Sequence, residues 1–376
     1  MNLDSIFSAE LAALEAASLR RILRAADAGM LNFAANDYLG LSRHPALIAA
    51  ARQATAQRGT GAGASRLITG TDGAVLALEE KLAAWKEKEA ALVFSSGYAA
   101  ALGTIPALVG KGDTVILDKL AHASLIDAAR LSGATVRTFP HNDMGRLEAL
   151  LQKISPGKKR ILIVTESIFS MDGDAAPLRE LIELKDRHGA WLLVDEAHAT
   201  GLYGATGAGL VAEAGLSPRV EIVMGTLSKA LGSLGGYIAG SRVLIDWLIN
   251  RARSFIYSTA LPPGVIAAGG AAIDVARGPE GVALRERLRR NIAHFHAGLP
   301  TRWQNQTLSS SAIQPLICGE ASAALHLAAT LREAGFLIPA IRYPTVPRHG
   351  ARLRVALSAV HADKDIDALN RALAAR

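Results

Sequence analysis

The strongest constraint on the fold is a repeated alternation along the chain between short apolar runs and stretches with helical spacing of apolar residues. The apolar runs lack polar alternation, which is typical of strands buried on both faces of a parallel sheet. They are ALVFSS, DTVILD, ATVRTF, RILIVTES, WLLVDEA, EIVMGT and GYIAGS, and helical stretches such as LIDAARLSG, RLEALLQKI and PLRELIELKDRHG lie between most of them. The alternation predicts an α/β fold with a doubly wound, mostly parallel sheet.

The rhythm of the sequence changes twice, and it predicts three regions. Residues 1–45 have the pattern of a helix followed by an irregular arm, and residues 46–275 contain the strand–helix alternation. After about residue 280 helices are followed by AIQPLIC and ARLRVALSAV, which indicates a smaller C-terminal α+β domain over 276–376.

Composition excludes several classes of function. The single cysteine, Cys318, forms no intramolecular disulfide and no thiolate zinc site, so we expect a cytoplasmic protein without a metal. The net charge is +7, but the basic cluster LRERLRRN has no interleaved aromatic residues, so we expect no nucleic-acid binding. A positive balance instead suits an anionic substrate, for example a CoA-linked one.

No segment of the sequence has the pattern of a membrane or export signal. The N-terminal MNLDSIFSAELAALEAA has acidic residues and no basic stretch before an apolar one, unlike a signal peptide. The uncharged runs 90–110 and 254–273 are interrupted by glycine and proline, so buried strand–turn–helix units explain them better than membrane spans. We therefore expect no membrane partner.

One lysine stands alone among small residues in GTLSKALGSLGG, which runs from Gly225 to Gly236. The segment follows EIVM, so this loop leaves the end of a predicted buried strand. Small residues let the backbone approach a ligand closely, and a desolvated lysine has a lowered pKa. An uncharged amine attacks carbonyl groups, so Lys229 is a candidate for covalent catalysis. The alternative is a surface lysine on a glycine-rich loop.

An aspartate at the end of another predicted strand gives that lysine a partner. Asp195 in VDEAHATG is expected to be buried, and a buried carboxylate is costly unless a cation pairs with it. In enzymes that use pyridoxal 5'-phosphate (PLP), a lysine binds the cofactor aldehyde and a carboxylate keeps the pyridine nitrogen protonated. The alternative for Asp195 is the N-cap of a helix.

Phosphate donors and ring contacts can also be placed at predicted strand ends. Gly97 and Tyr98 in SSGYAA lie at a strand-to-helix junction, where free amide groups and the helix dipole favour an anion. Thr226 offers a hydroxyl close to Lys229 in sequence. His122 and His198 follow two other strands, where a ring contact competes with an ordinary structural role.

The segment GTGAGAS, 59–65, fits the loose dinucleotide pattern G-x-G-x-x-A. A nicotinamide site requires a preceding strand and an acidic residue at the end of a second strand. The preceding LIAAARQATAQR has a helical pattern, so we expect a flexible glycine turn, with a nicotinamide oxidoreductase as a remote alternative.

The motifs taken in order resemble the α-oxoamine synthases, a branch of the fold-type I PLP enzymes. The matching segments span about 30–360 and include NDYLGL, GAGASRLITG, SSGYAA, AHASL, TESIFSMDGDAAPL, VDEAHATG, GTLSKALGSLGG, IYSTALPP, AIQPLI and PTVP. Several of these segments are most similar to the member of the family that serves biotin biosynthesis.

This resemblance implies a PLP-dependent acyltransferase that condenses L-alanine with a pimeloyl thioester, carried on CoA or on a carrier protein, with loss of CO2. It also implies a homodimer with shared active sites. Sibling enzymes of the 2-amino-3-ketobutyrate CoA ligase, 5-aminolevulinate synthase and serine palmitoyltransferase types share this chemistry, so they remain alternatives.

The resemblance also assigns roles to residues. The implied catalytic residues are Lys229, His122 and Asp195; the implied cofactor contacts are Gly97, Tyr98, His122, Ser170, Asp195, His198, Thr226, Lys229, Ser258 and Thr259; and the implied substrate contacts are Arg20, Asn36, His122, Thr345 and Arg354. Asp195 would face the pyridine nitrogen, and His122 would stack on the ring. Arg354 would bind the carboxylate of the amino acid, which its planar guanidinium suits.

Overall fold

The protein is described by a computed structural model covering residues 2–23, 25, 29–154, 159–304, 306 and 309–375. The chain divides into two compact units: a larger one of Asp37–Ser170 and Asp174–Glu286, and a smaller one of Met1–Asn36, Met171–Gly173 and Arg287–Arg376. The N-terminal arm is thus grouped with C-terminal residues, unlike in the predicted regions. The division at 45 and 275 remains a prediction.

Helices follow most of the strands, as the sequence pattern indicates. They are α1 (Leu3–Ala16), α2 (Pro45–Arg58), α3 (Gly73–Trp85), α4 (Gly97–Leu108), α5 (Ala123–Leu131), α6 (Met144–Gln152), α7 (Leu178–His188), α8 (Leu210–Glu213), α9 (Arg242–Arg251), α10 (Arg253–Ile256), α11 (Pro263–Arg277), α12 (Pro279–Gly298), α13 (Thr301–Gln304), α14 (Ala321–Glu333) and α15 (Asp363–Ala374). Among the described residues, no helix combines the length and the apolar character that a membrane span requires.

Every strand that the sequence predicts for the large domain is present in the structure. They are β1 (Leu31–Asn32), β2 (Ala90–Phe94), β3 (Thr114–Asp118), β4 (Thr135–Phe139), β5 (Ile161–Glu166), β6 (Trp191–Asp195), β7 (Ile222–Thr226), β8 (Gly236–Gly240), β9 (Ile313–Gly319), β10 (Phe336–Leu337), β11 (Ala340–Ile341) and β12 (Ala351–Ala356).

The central sheet of the larger unit has the order β2-β8-β7-β6-β5-β3-β4. Strand β8 is antiparallel to both of its neighbours, and the other pairs are parallel. The order reverses between β3 and β5, and in sheets of this type ligands bind outside the carboxyl ends of the strands near such a reversal. The fold therefore places the loops after β3, β5, β6 and β7 at one edge.

Most strands of this sheet are buried along their whole length, but β4 is an exception. Strands β2, β3, β7 and β8 are buried at every residue, because helices cover both faces. In β4 the side chains of Thr135, Arg137 and Thr138 are exposed, so the expectation of burial on both faces is wrong there. Strand β4 lies at one edge of the sheet, but the other edge strand, β2, is fully buried, so the edge position alone does not account for this exposure.

The segment GTGAGAS is not in the setting of a dinucleotide fingerprint. It follows helix α2, which ends at Arg58, and it precedes helix α3. Gly59 and Gly63 have φ of 84° and 69°, values that favour glycine. These observations agree with a glycine turn. A dinucleotide-binding motif requires a strand before the glycines, and here a helix precedes them.

In the smaller unit an antiparallel sheet of order β11-β12-β9 carries Arg354 on its central strand. The N-terminal arm joins this unit through parallel pairing of β1 with β10, which brings Leu31 opposite Phe336. The amide of Ala356 donates to the carbonyl of Phe33 at 2.8 Å, so the arm is fixed next to the end of β12.

A buried ion pair holds the turn after β6 in the larger unit. Lys86 is 1% exposed, and its Nζ donates to Glu196 Oε2 and to Thr200 Oγ1, both at 3.0 Å. Glu196 Oε1 accepts from the amide of Val211 at 2.9 Å. Burial lowers the pKa of Lys86, but the charge of Glu196, the hydroxyl of Tyr237 and hydrogen bonds to both side chains together raise the pKa overall.

A histidine lies between two carboxylates at the carboxyl edge of β3 and β4. His141 Nδ1 contacts Asp118 Oδ1 at 3.1 Å, and Nε2 contacts Asp174 Oδ2 at 2.7 Å. Burial lowers the pKa of His141, but both carboxylates raise it, to about 10. The ring also meets Phe169 edge-on at 4.4 Å, so the imidazolium holds the hairpin formed by residues 168–175.

We expect Lys86→Met to lower the free energy of unfolding by about 3 to 5 kcal/mol, because it leaves Glu196 buried without a cation. Urea unfolding of the full chain measures this. Adding Glu196→Gln should recover part of the loss. Lys81→Met is the matched control, since its surface pair with Asp274 should cost under about 1 kcal/mol. Equal losses for the two lysines would contradict the assigned role of Lys86.

We expect the contacts of His141 with Asp118 and Asp174, here called the His141 clamp, to make the free energy of unfolding fall in alkaline solution. Its pKa is raised on folding from 6.5 to about 10, so its contribution is complete below pH 6.5 and is lost as the pH rises to about 10. Near neutral pH, His141→Asn should cost about 2 kcal/mol. The deficit should shrink toward about pH 10 in thermal unfolding.

The control for this clamp is His294→Asn, which removes a surface contact with Asp367. That variant should track the wild-type protein at every pH. A deficit of His141→Asn that stays constant across the alkaline range would show that the charge on the imidazole contributes nothing.

Candidate active site

The isolated lysine lies in the loop after β7, and a histidine binds it. Lys229 is half-buried, and its Nζ lies 2.7 Å from Nε2 of His198. His198 Nδ1 in turn lies 2.7 Å from the hydroxyl of Tyr38. A charged amine has only donors, so it requires His198 Nε2 as acceptor, which places the imidazole proton on Nδ1. The chain Tyr38–His198–Lys229 therefore fixes the amine.

Tyr38 had no role in the sequence analysis, although the motif NDYLGL contains it. It is 1% exposed, so its hydroxyl requires a buried partner, and His198 supplies one. A contact between residues 160 positions apart leaves no local pattern in the sequence. Only the motif could have drawn attention to this tyrosine.

The carboxylate of Asp195 is buried at the end of β6, as predicted. It is 4% exposed, and Oδ1 accepts from the amide of Ala197 at 2.8 Å. The next helix, α8, begins only at Leu210, so the alternative of a helix N-cap is wrong. Burial raises the pKa of Asp195, and the charges of Lys229 and His122 lower it. Burial outweighs these charges, so the pKa of Asp195 is raised overall, and the positive charge of Lys229 is the strongest influence that favours the ionised form.

His122 lies at the first turn of α5, after β3. Its Nδ1 accepts from the amide of Ser124 at 3.2 Å and lies 2.8 Å from the hydroxyl of that serine. Partial burial lowers the pKa of His122, Lys229 lowers it further, and Asp195 raises it. A lowered pKa favours the neutral ring, which is suited to stacking on a flat ligand.

The strand-to-helix junction after β2 provides the expected anion-binding geometry. Gly97 opens helix α4, whose first amide groups have no acceptor within the helix. A Cβ at Gly97 would lie 4.0 Å from Thr226 Oγ1, so the helix start and this hydroxyl face each other closely. Thr226 Oγ1 donates to the carbonyl of Gly235 at 2.7 Å, and a phosphate would have to compete with that acceptor.

Two further predicted cofactor contacts lie near this junction or beside β5. The side chain of Tyr98 is turned to Asp127, to which its hydroxyl donates at 2.8 Å, so its amide is what remains for an anion. Ser170 is buried in the turn after β5, and its amide donates to Glu166 Oε2 at 3.2 Å. Glu166 had no assigned role in the sequence analysis.

Ser258 and Thr259 line a cavity of about 190 Å³ together with Arg58 and Arg66. Thr259 forms an isolated β-bridge with Ser65, inside the glycine turn. Their expected contact with the phosphate of a second subunit stays a prediction.

The predicted substrate contacts lie in the smaller unit. Arg354 is 4% exposed, and its guanidinium donates to Asn36 Oδ1 at 3.0 Å. Thr345 Oγ1 accepts from Arg21 at 3.3 Å, while Arg20 pairs with an exposed glutamate near the end of α1. The neighbouring Arg21, which the sequence analysis did not select, thus makes the contact with Thr345.

The donor set of the larger unit fits the expected cofactor. A lysine amine, a buried carboxyl group near that lysine, a largely neutral imidazole and a helix start match an aldehyde, a ring nitrogen, a ring face and a phosphate, respectively. The carboxyl oxygen Oε1 of Glu166 is also buried there without a hydrogen-bond partner among the described residues. Such an atom is expected where a polar ligand completes the site.

Curated relatives share about half of the residues of this chain. The 8-amino-7-oxononanoate synthase of Geobacter metallireducens is 51% identical over 88% of this chain and 84% of its own length. The enzyme of the same name from Methylobacterium radiotolerans is 48% identical over 100% of this chain and 98% of its own length.

Solved structures share the fold at lower identity. A serine palmitoyltransferase from Sphingomonas wittichii has a TM-score of 0.92 and 33% identity, covering 100% of this chain and 98% of its own. One from S. paucimobilis, solved with bound PLP and myriocin, has a TM-score of 0.92, 29% identity and the same coverage. An 8-amino-7-oxononanoate synthase from Francisella tularensis has a TM-score of 0.80, 28% identity and coverage of 93% and 98%.

The family model for aminotransferase class I and II matches residues 28–373. This range includes the whole of the larger unit, most of the smaller one and every strand of the central sheet. The fold-type I architecture predicted from the alternation of strands and helices is thereby confirmed. The chain belongs to the aminotransferase class I and II family and, within it, to the branch that contains the 8-amino-7-oxononanoate synthases.

Proposed function

We propose that this chain catalyses the PLP-dependent condensation of L-alanine with a pimeloyl thioester in biotin biosynthesis. The reaction consumes one proton and gives 8-amino-7-oxononanoate, CO2 and free CoA or carrier protein. The observation that carries the proposal is the meeting of three groups at the carboxyl edge of one sheet, namely Lys229 held by His198 at 2.7 Å, the buried carboxyl group of Asp195, and His122. The chain that holds this site is 48–51% identical to curated 8-amino-7-oxononanoate synthases.

The residues of the larger unit hold the cofactor in this proposal. Pyridoxal phosphate supplies an aldehyde for covalent attachment and a cationic ring that accepts an electron pair from the amino-acid α-carbon. Asp195 would hold the ring nitrogen in its protonated form, since the positive charge of Lys229 acts against the rise in the pKa of Asp195 that burial causes. His122 covers one face of the ring, while Ser170 and His198 lie toward the ring oxygen. The amides of Gly97 and Tyr98 and the hydroxyl of Thr226 bind the phosphate.

Lys229 moves protons in the proposed reaction. Its Nζ takes the α-proton of L-alanine and returns a proton to the same carbon after CO2 leaves. The contact between His198 Nε2 and Lys229 Nζ at 2.7 Å orients the amine, and Tyr38 fixes the imidazole from its other nitrogen. A general base has to lie within hydrogen-bond reach of the proton that it removes, so this orientation controls the rate.

The smaller unit supplies the substrate contacts in this proposal. The guanidinium of Arg354 binds the carboxylate of L-alanine in a two-point contact, and Asn36 fixes the guanidinium at 3.0 Å. Arg20 and Thr345 contact the acyl substrate. Arg21 lies 3.3 Å from Thr345, so it can replace Arg20 in this role.

We also propose a homodimer with shared active sites, in which Ser258 and Thr259 contact the phosphate bound by the second subunit. Their position in a cavity lined by Arg58 and Arg66 supports an anion there. We place the enzyme in the cytoplasm, which the single cysteine supports. Nucleic acids and membranes are not among the proposed partners.

A sibling activity is the second candidate. Serine palmitoyltransferases are the solved structures with TM-scores of 0.92, although they are only 29–33% identical to this chain. The residues that handle the cofactor are shared across such enzymes, so these residues do not discriminate the substrates. The amino acid and the length of the acyl chain do.

The proposal is tested by titrating the PLP-loaded protein with L-alanine, glycine and L-serine and following the visible absorbance of the cofactor. L-alanine should give the largest change in absorbance of the three amino acids. When pimeloyl-CoA is then added, free CoA should be released only in the sample that contains L-alanine. Lys229→Ala should lose the CoA release by at least about a hundredfold, because it removes the proposed base. Lys119→Ala, an exposed lysine at the same sheet edge, is the control. Turnover of L-serine with palmitoyl-CoA would support the sibling activity instead.

Arg354→Ala should raise the KM for L-alanine by at least about tenfold, because a charged two-point hydrogen bond is lost. The visible spectrum of the bound cofactor should stay unchanged. Steady-state kinetics with varied alanine at saturating pimeloyl-CoA measure this. Arg371→Ala, on helix α15, is the control and should behave like the wild type. An unchanged KM for alanine would rule out a carboxylate contact at this arginine.

A further inference from the structure

Glu166 is a buried carboxyl group in the proposed site that the mechanism does not use. It ends strand β5, where it lies opposite Asp195 in the register of β5 and β6. Residues paired across parallel strands place their side chains on the same face of the sheet. Glu166 is 2% exposed and Asp195 is 4% exposed, so two carboxyl groups share one buried face.

The contacts of Glu166 reach two of the turns that carry predicted cofactor ligands. Its Oε2 accepts from the amide of Ser170 at 3.2 Å, in the turn after β5. The backbone amide of His122, in the turn after β3, also faces this carboxyl group and lowers its pKa. One side chain on β5 thus connects two separate loops at the carboxyl edge of the sheet.

Two adjacent anions on this face would be costly, and one of the carboxyl groups avoids the cost by keeping a proton. Burial raises the pKa of Glu166 to about 8, the negative charge of Asp195 contributes to this rise, and Lys229 and the two amides lower it. Burial raises the pKa of Asp195 as well, but Lys229 lowers it and the amide of Ala197 donates to its Oδ1 at 2.8 Å. The other oxygen of Glu166, Oε1, has no hydrogen-bond partner in the described part of the chain, which disfavours an ionised form.

We propose that Glu166 is a positioning residue that works as a neutral carboxylic acid. It fixes the turns bearing His122 and Ser170, and it leaves the negative charge of the carboxyl pair on Asp195. The statement about the cofactor rests on the proposed function, whereas the statement about the protonated carboxyl concerns the protein alone. The two parts can therefore be tested separately.

The protonated form has a consequence for the protein without cofactor. Because the pKa of Glu166 is raised on folding from 4.5 to about 8, its contribution to stability is complete below pH 4.5 and is lost as the pH rises to about 8. Glutamine has the same shape and an oxygen acceptor for the amides, but it does not ionise. Glu166→Gln should remove this loss, and Glu166→Ala should remove the contacts with the two turns as well.

The experiment compares wild type, Glu166→Gln, Glu166→Ala and the control Glu221→Gln over about pH 5 to pH 9. Glu221 is a suitable control, because it also accepts from a backbone amide, that of Leu192 at 2.9 Å, but at the amino end of β6. Thermal unfolding without cofactor reports the ionisation. The circular dichroism of the bound cofactor and kcat at saturating substrates report the positions of His122 and Ser170.

We expect Glu166→Gln to keep kcat within about twofold of wild type and to be more stable, relative to wild type, at pH 8 than at pH 5, with Glu221→Gln showing no such trend. Glu166→Ala should lower kcat at least about tenfold and change the cofactor dichroism while still binding PLP.

A Gln variant as impaired as the Ala variant would show that a charged carboxylate is required and would overturn the proposal. An Ala variant with wild-type dichroism and kcat would overturn the positioning role. A wild-type protein that does not bind PLP would refute the proposed function, and the stability comparison would still test the protonated carboxyl.

Discussion

The attraction between the Lys229 amine and the Asp195 carboxylate is the interaction on which the rest of the site depends. Asp195 is buried at the end of a strand, where an ionised carboxylate is stable only if positive charge lies nearby. The parallel sheet supplies this charge, since the loops after β3, β6 and β7 meet at one edge. The same low-polarity surroundings that make the pair costly to bury give each charge a strong effect on its neighbours.

The sequence predicts the strands well because most of them are short runs of apolar residues. A strand that is buried on both faces requires such a composition. The antiparallel direction of β8 has no such signal, since GYIAGS reads alike in both directions of a buried strand. The exposed residues of β4 could not be predicted either, because exposure depends on what packs against a strand in space, and the two edge strands β2 and β4 differ in this.

The residues of the candidate site that belong to a chemically unusual motif could be predicted from the sequence. Contacts between residues far apart in the chain could not. Lys229 and Asp195 could be selected because a cation among small residues and an acid at a strand end are unusual. Lys86 lies in WKEKEA, which resembles a solvated turn, yet it is buried against Glu196, 110 positions away. The behaviour of Glu166 depends on its neighbour across the strand pair, which only the register shows.

The exposed edge strand has a consequence for how the molecule behaves in a crowded solution. An unpaired strand offers a row of amide and carbonyl groups on which a foreign chain can add itself. In β4 the guanidinium of Arg137, which lies between Thr135 and Thr138, is exposed. It would lose hydrating water if another chain were added at this edge. An exposed charge at this position of an edge strand disfavours such an addition.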